Sequence, residues 1–387
     1  MQEKGLRILH HSPFKAKPFG HGGERRTAQV VELLQRRGFI LDSLNWEHSD
    51  SKPTIYKLLR APLYALYFVK FCIEARIFIK PFPQEILFIG FSYRYFVTSV
   101  KPMLKNNYHA FIWESTYDRF FLLAFLLKKH KLPVFAIPHN LESLVPGRKS
   151  FLHSKTAPAW LPNEMKMLKS TALHTFAIAR EEEWLLNLHG VKAHYLPYYP
   201  VTEVVNYFEE IRKKRRSTGN FLLIGTATNL PTYLGMKKLI DNLEGRLGEV
   251  VIDLAGYGTE RFNAEYSGLA NFNILGTLSN EVLQQKLAGC KGVVLYNQPS
   301  SGVLTKVIEF MLSGIPLVVD PGSARSYYNL DGLFIYNDVG DLTHLLKHFD
   351  TGRSTTEGKM EILKMSAFED YFITTIVNCR PNTEISK

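Results

Sequence analysis

Two charged residues, Lys306 and Glu309, stand in an otherwise apolar segment whose composition predicts a helix. Spacings of four, three and four residues place four polar positions on one face of that helix: Gly302, Lys306, Glu309 and Ser313. A helix start that carries glycine offers N–H groups and a positive dipole end to an anion, and a lysine one turn further in can reach the same anion. Glu309 can accept hydrogen bonds from hydroxyl groups. Phosphate and hydroxyls together describe a nucleotide sugar. The alternative is a sheet-covering helix with a solvated lysine and glutamate.

Short strands must position this helix. Two β-branched runs flank it, Val293–Tyr296 and Ile315–Val319, and both are typical of buried parallel strands. Ser300 or Ser301 can cap the start of the helix, and Gly314 can end it. The stretch therefore predicts the order strand, loop, helix, turn, strand.

The same alternation continues along the chain and predicts an α/β protein with two doubly wound, Rossmann-like domains that face a cleft. Residues 1–200 are predicted to form an acceptor-side domain. Residues 201–387 are predicted to form a nucleotide-sugar-binding domain whose last helix crosses back to the first domain. A charged stretch that includes Arg212–Arg216 follows the break and is interpreted as a linker. In the first domain, Glu85–Gly90 is predicted to be a strand.

Glycines and one histidine mark two further candidate sites in the first domain. Gly20, Gly22 and Gly23 lie just before a predicted helix, as phosphate-contacting loops often do, although a flexible loop is the alternative. The spacing GxGxxG is absent, so the sequence does not support NAD binding. His139 follows a predicted strand, at the edge where open α/β sheets usually bind ligands. A structural histidine is the alternative there.

Composition narrows the class of protein. The 387 residues have 45% hydrophobic and 21% charged side chains, as globular proteins do. Three widely spaced cysteines, Cys72, Cys290 and Cys379, form neither a disulfide framework nor a metal set and favour a reducing compartment. The chain starts directly with a predicted strand, so no signal peptide is expected. These features predict a cytoplasmic protein.

The positive charge is concentrated in the N-terminal half. Residues 1–200 contain 28 lysines and arginines against 15 acidic residues, whereas residues 201–387 contain 19 against 21. The segment Ile55–Phe82 is apolar and aromatic but is interrupted by charges, so it does not predict a membrane-spanning helix. Its aromatic residues and the basic excess suggest peripheral contact with an anionic membrane surface, and core packing is the alternative. The aromatic residues in question are Tyr56, Tyr64, Tyr67, Phe68 and Phe71. A nucleic-acid partner would also suit the charge, but no nucleic-acid-binding motif is present.

Several of these motifs, in this order, make the chain resemble GT-B-fold glycosyltransferases and in particular the retaining family-4 enzymes. The resemblance covers nearly the whole chain. It rests on the following segments: Gly22-Gly23, Pro138-His139-Asn140, Ala255–Gly258, Leu275–Ser279 and Ser301–Pro316.

The resemblance implies roles for individual residues. Lys306 would bind the donor diphosphate, and Glu309 would hold the donor ribose. The histidine matching His139 would lie near the transferred sugar, which completes the catalytic candidates. The donor-binding candidates would contribute backbone N–H groups or close packing. They are Gly22, Gly23, Gly302, Val303, Leu304, Gly256 and Leu278. No metal ion or other cofactor is expected.

Two departures from the family pattern concern the donor site. The family often carries a second glutamate eight positions before the one matching Glu309, and Ser301 stands there. The usual arginine and lysine are absent from Gly225–Gly235, and Lys237 or Lys238 would have to compensate.

The sequence therefore predicts a glycosyltransferase that moves a sugar from a nucleotide-diphosphate sugar to a glycan or lipid-linked acceptor. Retention of configuration and a place in surface-polysaccharide or glycolipid assembly come from the resemblance. A catalytically inactive nucleotide-sugar-binding protein and a nucleotide-sugar epimerase of the same fold are the alternatives.

Overall fold

The computed structural model describes residues 5–44, 60–75, 83–150, 156–266, 268–296, 301–327, 330–350 and 358–379. These residues form two compact units. Unit 1 contains the described residues up to Pro197 together with those from Ala367 onwards, and unit 2 contains those in Tyr198–Ser366. The sequence places the boundary at residue 200; in the structure Tyr198 already belongs to unit 2.

The described part of unit 1 contains six strands and most of its helices cover them. The strands are β1 (Arg7–His11), β2 (Ile40–Ser43), β3 (Ala110–Trp113), β4 (Val134–Ala136), β5 (His174–Ala177) and β6 (Ala193–Tyr195). The helices are α1 (Gly22–Arg36), α2 (Ala61–Ala75), α3 (Pro83–Tyr95), α4 (Lys101–Met103), α5 (Asp118–Lys129), α6 (Leu161–Thr171) and α7 (Arg180–Leu188).

The described part of unit 2 also contains six strands. They are β7 (Phe221–Ile224), β8 (Ile252–Ala255), β9 (Phe272–Gly276), β10 (Val293–Leu295), β11 (Leu317–Val319) and β12 (Leu333–Ile335). The helices are α8 (Thr202–Lys213), α9 (Leu230–Leu243), α10 (Asn263–Tyr266), α11 (Asn280–Gly289), α12 (Thr305–Leu312), α13 (Pro321–Ala324) and α14 (Val339–Lys347), followed by α15 (Gly358–Val377), which continues into unit 1.

Both sheets are parallel, and each has one point where the strand order reverses. The order is β2-β1-β3-β4-β5-β6 in unit 1 and β12-β11-β10-β7-β8-β9 in unit 2. The chain therefore turns to the other side between β1 and β3 in unit 1, and between β7 and β10 in unit 2. Such switch points open a crevice at the carboxyl ends of the strands, where open α/β sheets bind ligands. The two predicted α/β folds are confirmed.

Alternating side chains of the strands build the core of unit 1 on both faces of its sheet. Phe111 and Trp113 of β3 join one hydrophobic cluster, whereas Ala110 and Ile112 join another. This alternation is why the strand reads as a continuous apolar run in the sequence. The second cluster also contains residues of α15 from the far end of the chain, Phe372, Ile373 and Ile376.

Two predicted elements are wrong. Glu85–Gly90 belongs to helix α3 and is not a strand, because a short apolar run cannot distinguish the two. Helix α3 packs against α2 so closely that a Cβ on Gly90 would lie 2.0 Å from the carbonyl oxygen of Tyr64. The predicted charged linker is largely helix α8, whose buried Val204, Phe208 and Ile211 recur at helical spacing.

Candidate functional site

The loop before α12 lies at the switch point of unit 2. The helix begins at Thr305, with Leu304 as its N-cap residue and no side-chain cap. The predicted cap Ser301 is therefore wrong, and Ser300 lies outside the described residues. Gly302 has φ +77°, which an α-helix does not accommodate, so the helix starts after it. Gly302, Val303 and Leu304 form the approach to the helix, and the start of a helix offers N–H groups to an anion.

The end of α12 follows the sequence prediction. Gly314 has φ +69°. Its N–H donates a hydrogen bond to the carbonyl oxygen of Met311 at 3.0 Å, and the N–H of Ile315 donates one to the carbonyl oxygen of Phe310 at 3.1 Å. These two hydrogen bonds form a Schellman motif. Phe310 also packs edge-on against Phe208 of α8, with ring centroids 6.0 Å apart. Helix α12 is therefore fixed at its end and along its side.

The polar stripe of α12 is not a solvated face. Lys306 is half-buried, and Glu309 is only 1% exposed. The hydroxyl of Tyr198 donates a hydrogen bond to Oε1 of Glu309 at 2.8 Å, and Tyr198 is itself 1% exposed. Ser313 is fully buried and donates to the carbonyl of Phe310 at 2.6 Å. A buried carboxylate held by a buried hydroxyl is a positioned group, as a ligand-binding role requires.

Arg325 contributes a second cation near the start of α12. It follows β11 and the short helix α13, and its guanidinium donates to the carbonyl oxygen of Gly302. Asp320 fixes this segment by accepting hydrogen bonds from the backbone N–H groups of Gly322 at 2.9 Å and Ser323 at 3.2 Å. The carboxyl ends of β10 and β11 therefore bring two cationic side chains, Lys306 and Arg325, to one edge of the sheet.

The loop after β7 forms the other side of this switch point. A Cβ on Gly256 would lie 1.9 Å from the carbonyl oxygen of Gly225, and Gly256 has φ +131°. Glycine is thus required there because two strand ends touch through their backbones. Leu278, in the loop between β9 and α11, is half-buried.

Arg261 supplies a cation to the loop after β7, where the sequence lacks the arginine and lysine that the resemblance leads one to expect. Its guanidinium lies 3.3 Å from the carbonyl oxygen of Ala227 and 3.8 Å from the ring centroid of Tyr233. Lys237 instead pairs with Glu265 and donates to the hydroxyl of Tyr266 at 2.9 Å. Lys238 lies 5.9 Å from the ring centroid of Tyr296. Arg261 is therefore better placed than either lysine to face an anion at this loop.

The switch point of unit 1 is organised by Glu114, which follows β3 and is fully buried. Its Oε1 lies 2.5 Å from Nε2 of His10, at the end of β1. Its Oε2 lies 2.7 Å from Nε2 of His139 and accepts a hydrogen bond from Thr27 of α1 at 2.7 Å. Burial raises the pKa of a carboxyl, but here the neighbouring His10 and His139 outweigh burial and hold the pKa of Glu114 well below its ordinary value. Glu114 is therefore a carboxylate.

Gly23, in the first turn of α1, makes room for an aromatic ring. A Cβ on Gly23 would lie 2.5 Å from the ring of Phe14. That ring stacks on His139, with centroids 5.3 Å apart, and meets the ring of His21 edge-on at 4.8 Å. Gly22 is the first residue of α1. In unit 1, the structure thus brings Gly23 and His139, two of the predicted site residues, together around Phe14.

Sequence reasoning missed several residues of these two sites. Glu114, His10 and Thr27 are each ordinary in their local sequence and become a cluster only through the sheet. Tyr198, Arg261 and Arg325 likewise lie far in sequence from the groups they contact. Positions just after β-strands were the available signal, since Glu114 directly follows β3 and His139 lies three residues after the end of β4. Among the described residues, no group of three or more His, Cys, Asp or Glu side chains is arranged to hold a metal ion.

Comparisons with known proteins agree with this architecture. No protein-family model and no curated protein sequence matches the chain. Anabaena HepE (Alr3699), in complex with UDP-glucose, is similar in structure, with a TM-score of 0.59, 15% identity and coverage of 97% of this chain and 100% of that chain. The trehalose-6-phosphate synthase OtsA gives a TM-score of 0.59 at 11% identity with the same coverage. Acinetobacter baumannii MurG gives 0.50 at 14% identity, again with coverage of 97% and 100%. The chain has the GT-B fold of these glycosyltransferases, as the sequence resemblance predicts.

Proposed function

We propose that the protein is a glycosyltransferase that moves a sugar from a nucleotide-diphosphate sugar to a hydroxyl group of a glycan or lipid-linked acceptor. The switch point of unit 2 carries this proposal, because it combines the loop of Gly302, the start of α12 and the cations Lys306 and Arg325. Solved structures of the same fold contain UDP or UDP-glucose, which makes UDP-glucose the first donor to test. Retention of configuration and a role in surface-polysaccharide or glycolipid assembly, in the cytoplasm, complete the proposal.

The chemistry requires stabilisation of a leaving diphosphate. When the bond between the sugar and the diphosphate breaks, negative charge grows on the phosphate oxygens. The N–H groups at the start of α12 and the ammonium of Lys306 interact more strongly with that charge than with the intact donor, which lowers the barrier. Arg261 adds positive charge at the loop after β7. In the proposed mechanism these fixed charges stabilise the leaving diphosphate, and no metal ion takes part.

Glu309 and His139 have supporting roles in the proposal. Glu309 accepts a hydrogen bond from a ribose hydroxyl, and Tyr198 holds its carboxylate in position through Oε1. His139, held by Glu114 through Nε2, contacts the transferred sugar. Gly22 and Gly23 contribute backbone N–H groups of α1 to the diphosphate, and Gly256 and Leu278 pack beside the nucleotide.

Donor binding and transfer are measured separately. Saturating UDP-glucose should raise the melting temperature, since a ligand at 100 times its Kd stabilises the folded state by about 2.7 kcal/mol. UDP should then be released in the presence of sugar acceptors, equally with and without EDTA. Absence of a melting shift with any nucleotide sugar contradicts the proposal. Loss of activity in EDTA contradicts its metal-free mechanism.

A nucleotide-sugar-binding protein without transferase activity is the second candidate function. Ser301 favours this candidate, because the retaining family-4 enzymes that the chain resembles often carry a glutamate at this position. Stabilisation by UDP-glucose without UDP release in any acceptor screen would support this candidate. Conversion of the sugar without an acceptor would instead indicate an epimerase.

We also propose that unit 1 contacts an anionic membrane surface through helix α2, although not through the predicted Tyr64, Phe68 and Phe71. These three side chains are at most 6% exposed and belong to the core. Tyr67 is partly buried against the same core, and Tyr56 lies outside the described residues. The opposite face of α2 exposes four aliphatic side chains: Leu63, Leu66, Val69 and Ile73. Among the described residues, none of the helices is long and apolar enough to cross a bilayer.

Two lysines flank this aliphatic face. Lys70 is exposed on α2, and the ammonium of Lys129 donates to the carbonyl of Glu74 at 2.7 Å, at the end of the same helix. An aliphatic stripe flanked by lysines is complementary to an anionic bilayer, where each basic residue contributes about 1 kcal/mol.

Vesicle sedimentation tests the membrane contact. The protein should sediment with phosphatidylglycerol vesicles and less with phosphatidylcholine vesicles, and salt should weaken the binding. Leu66→Asp combined with Ile73→Asp should abolish it. Leu188→Asp is the matched control, because Leu188 is 81% exposed on α7 of the same unit. Equal loss in the control, or equal binding to both lipids, contradicts the proposal.

A further inference from the structure

Two histidines lie one turn apart on helix α14 of unit 2 and belong to neither candidate site. His344 is in the last turn of the helix, and His348 is its C-cap residue. The N–H of His348 donates a hydrogen bond to the carbonyl oxygen of His344 at 3.0 Å. Both residues are exposed, and positions four apart share one face of a helix. The two imidazole rings therefore stand side by side at the end of α14.

The separation of the rings is that of two ligands on one metal ion. Their centroids are 4.6 Å apart, and their planes meet at 46°. Zinc binds an imidazole nitrogen at about 2.0–2.1 Å, which puts each ring centroid about 3.2 Å from the ion. Two rings with a nitrogen–zinc–nitrogen angle of about 90–110° then have centroids about 4.5–5.2 Å apart. The backbone of α14 already holds the rings at a separation within this range.

The imidazole nitrogens are available to a ligand. Among the residues that the structure describes, neither ring forms a hydrogen bond or an ion pair with another group. Lys347 lies in the same turn, but its side chain extends towards Gly248, with Cε 3.7 Å from the position of a Cβ there. Because the two rings are exposed, water can fill the remaining positions around an ion.

The place of the pair on the helix also favours a cation. The last carbonyl groups of a helix carry a partial negative charge, which acts within its last turn. His344 and His348 lie at that end of α14. Asp341, three residues before His344, is exposed and adds a carboxylate on the same face of the helix. A divalent cation would thus meet two neutral ligands in a negative surrounding.

We infer that His344 and His348 together bind a divalent transition-metal cation of the kind that prefers imidazole, such as Zn²⁺ or Cu²⁺. The ion links two residues that also share the last backbone hydrogen bond of α14, so it stabilises the end of this helix. With only two protein ligands, the ion is exchangeable. The inference does not depend on the proposed function, and the ion takes no part in sugar transfer.

Calorimetric titration of the full-length protein with ZnCl₂ tests the pair. His344→Ala and His348→Ala should each weaken zinc binding by about tenfold or more, since losing a group that merely supports a ligand already costs about 10–100-fold in affinity. The matched control is His189→Ala, because His189 is likewise an exposed C-cap residue, on α7 of unit 1. MgCl₂ should give no binding that depends on the two histidines, because Mg²⁺ prefers oxygen ligands.

Hydrogen exchange tests the effect on the helix. Zn²⁺ should slow exchange of the amide of His348, whose hydrogen bond to His344 closes the last turn of α14. It should leave this amide unchanged in His344→Ala. Acidification should weaken zinc binding by the wild type, because a histidine ligand must be neutral. Ions held at other surface histidines would not give this localised protection.

Each outcome decides one part of the inference. Zinc binding of wild-type affinity in both alanine variants overturns the site and leaves the two rings as a ring contact only. Loss in only one of them overturns the pair, because a single histidine would then hold the ion. An equal loss in His189→Ala also overturns it. Binding that needs both histidines but leaves the exchange of His348 unchanged overturns the stabilisation of α14 alone.

Discussion

The candidate sites at the switch points of the two units are assembled in different ways. In unit 2 the candidate groups lie on one short helix and its preceding loop, from Gly302 to Glu309, with two arginines added from neighbouring loops. In unit 1 a single carboxylate, Glu114, gathers partners from β1, α1 and the loop after β4. One site is local in the sequence, and the other exists only when the sheet has formed.

This difference implies different behaviour on substitution. Residues on one helix can act on separate parts of a ligand, so their effects should multiply. Groups that share one carboxylate depend on each other, so substituting two of them should slow the reaction no more than substituting the more important one. The following predictions use that contrast.

The largest effect is expected at Lys306. Lys306→Ala should lower kcat by about 10²–10³-fold, the range for loss of one group that stabilises growing charge. The control is Lys291→Ala, which removes an exposed lysine of the same unit. Steady-state rates with UDP-glucose measure the effect. A folded Lys306→Ala protein that works at the wild-type rate would show that α12 is not the donor site.

Glu309 should act mainly on donor affinity. Glu309→Gln weakens a hydrogen bond to a charged group, which is worth about 1.5–3 kcal/mol, or about ten- to a hundredfold in Kd. Combined with Lys306→Ala, its effect on kcat/KM should multiply. A double variant with the same kcat/KM as Lys306→Ala would show that the two residues do not act independently, and the contrast between the two sites would be lost.

Glu114→Gln tests the shared carboxylate. It should slow transfer by about tenfold to a hundredfold, again the value of a charge-assisted hydrogen bond. The variant that combines it with His10→Gln should be no slower than His10→Gln alone. Rates that multiply in the double variant would contradict the cluster.

Glu114 should also appear in the pH dependence of stability. Its pKa is lowered in the folded state, so the unfolded state takes up a proton first as the pH falls. The stability that Glu114 provides is complete above the unfolded value of about 4.3 and is lost as the pH falls from there through the folded value. Chemical unfolding at pH 3 and pH 6 should show a smaller loss for Glu114→Gln than for the wild type.

The smallest effect is expected at Tyr198. Tyr198→Phe removes one hydroxyl that orients Glu309, and an ordinary hydrogen bond contributes about 0.5–1.5 kcal/mol, so Kd for UDP-glucose should rise about two- to tenfold. Tyr207→Phe, which changes a partly exposed tyrosine on α8 of the same unit, is the control. No change in Kd would assign Tyr198 to packing alone.

The sequence predicts what depends on local pattern. Strands such as β3 and β10 are short apolar runs, and Gly314 signals the end of α12, so the α/β class and the position of Lys306 and Glu309 follow from neighbouring residues. Glu85–Gly90 could not be predicted, because its helical state depends on the close approach of α2 at Gly90. The predicted start of α12 was too early. The sequence shows that residue 302 is a glycine, but its positive φ is set by the loop and ends any helical conformation there.

The Glu114 cluster shows the limit more clearly. Nothing near residue 114 in the sequence indicates a bond to His10, since the pairing arises from β1 lying beside β3. The same holds for Glu309 and Tyr198, which are 111 residues apart. Such contacts need the strand order, which the sequence pattern does not contain.

The return of α15 to unit 1 has a consequence for how the protein is made on the ribosome. Phe372 and Ile376 are fully buried against Ile8, Leu33 and their neighbours. Domains generally fold in order as they emerge during synthesis. Most of unit 1 is translated before unit 2, yet one face of its sheet lacks part of its apolar cover until Phe372 and Ile376 have also been translated. The core of unit 1 is therefore completed only after unit 2 has been synthesised, and a message truncated before codon 367 would yield a unit 1 without this part of its core.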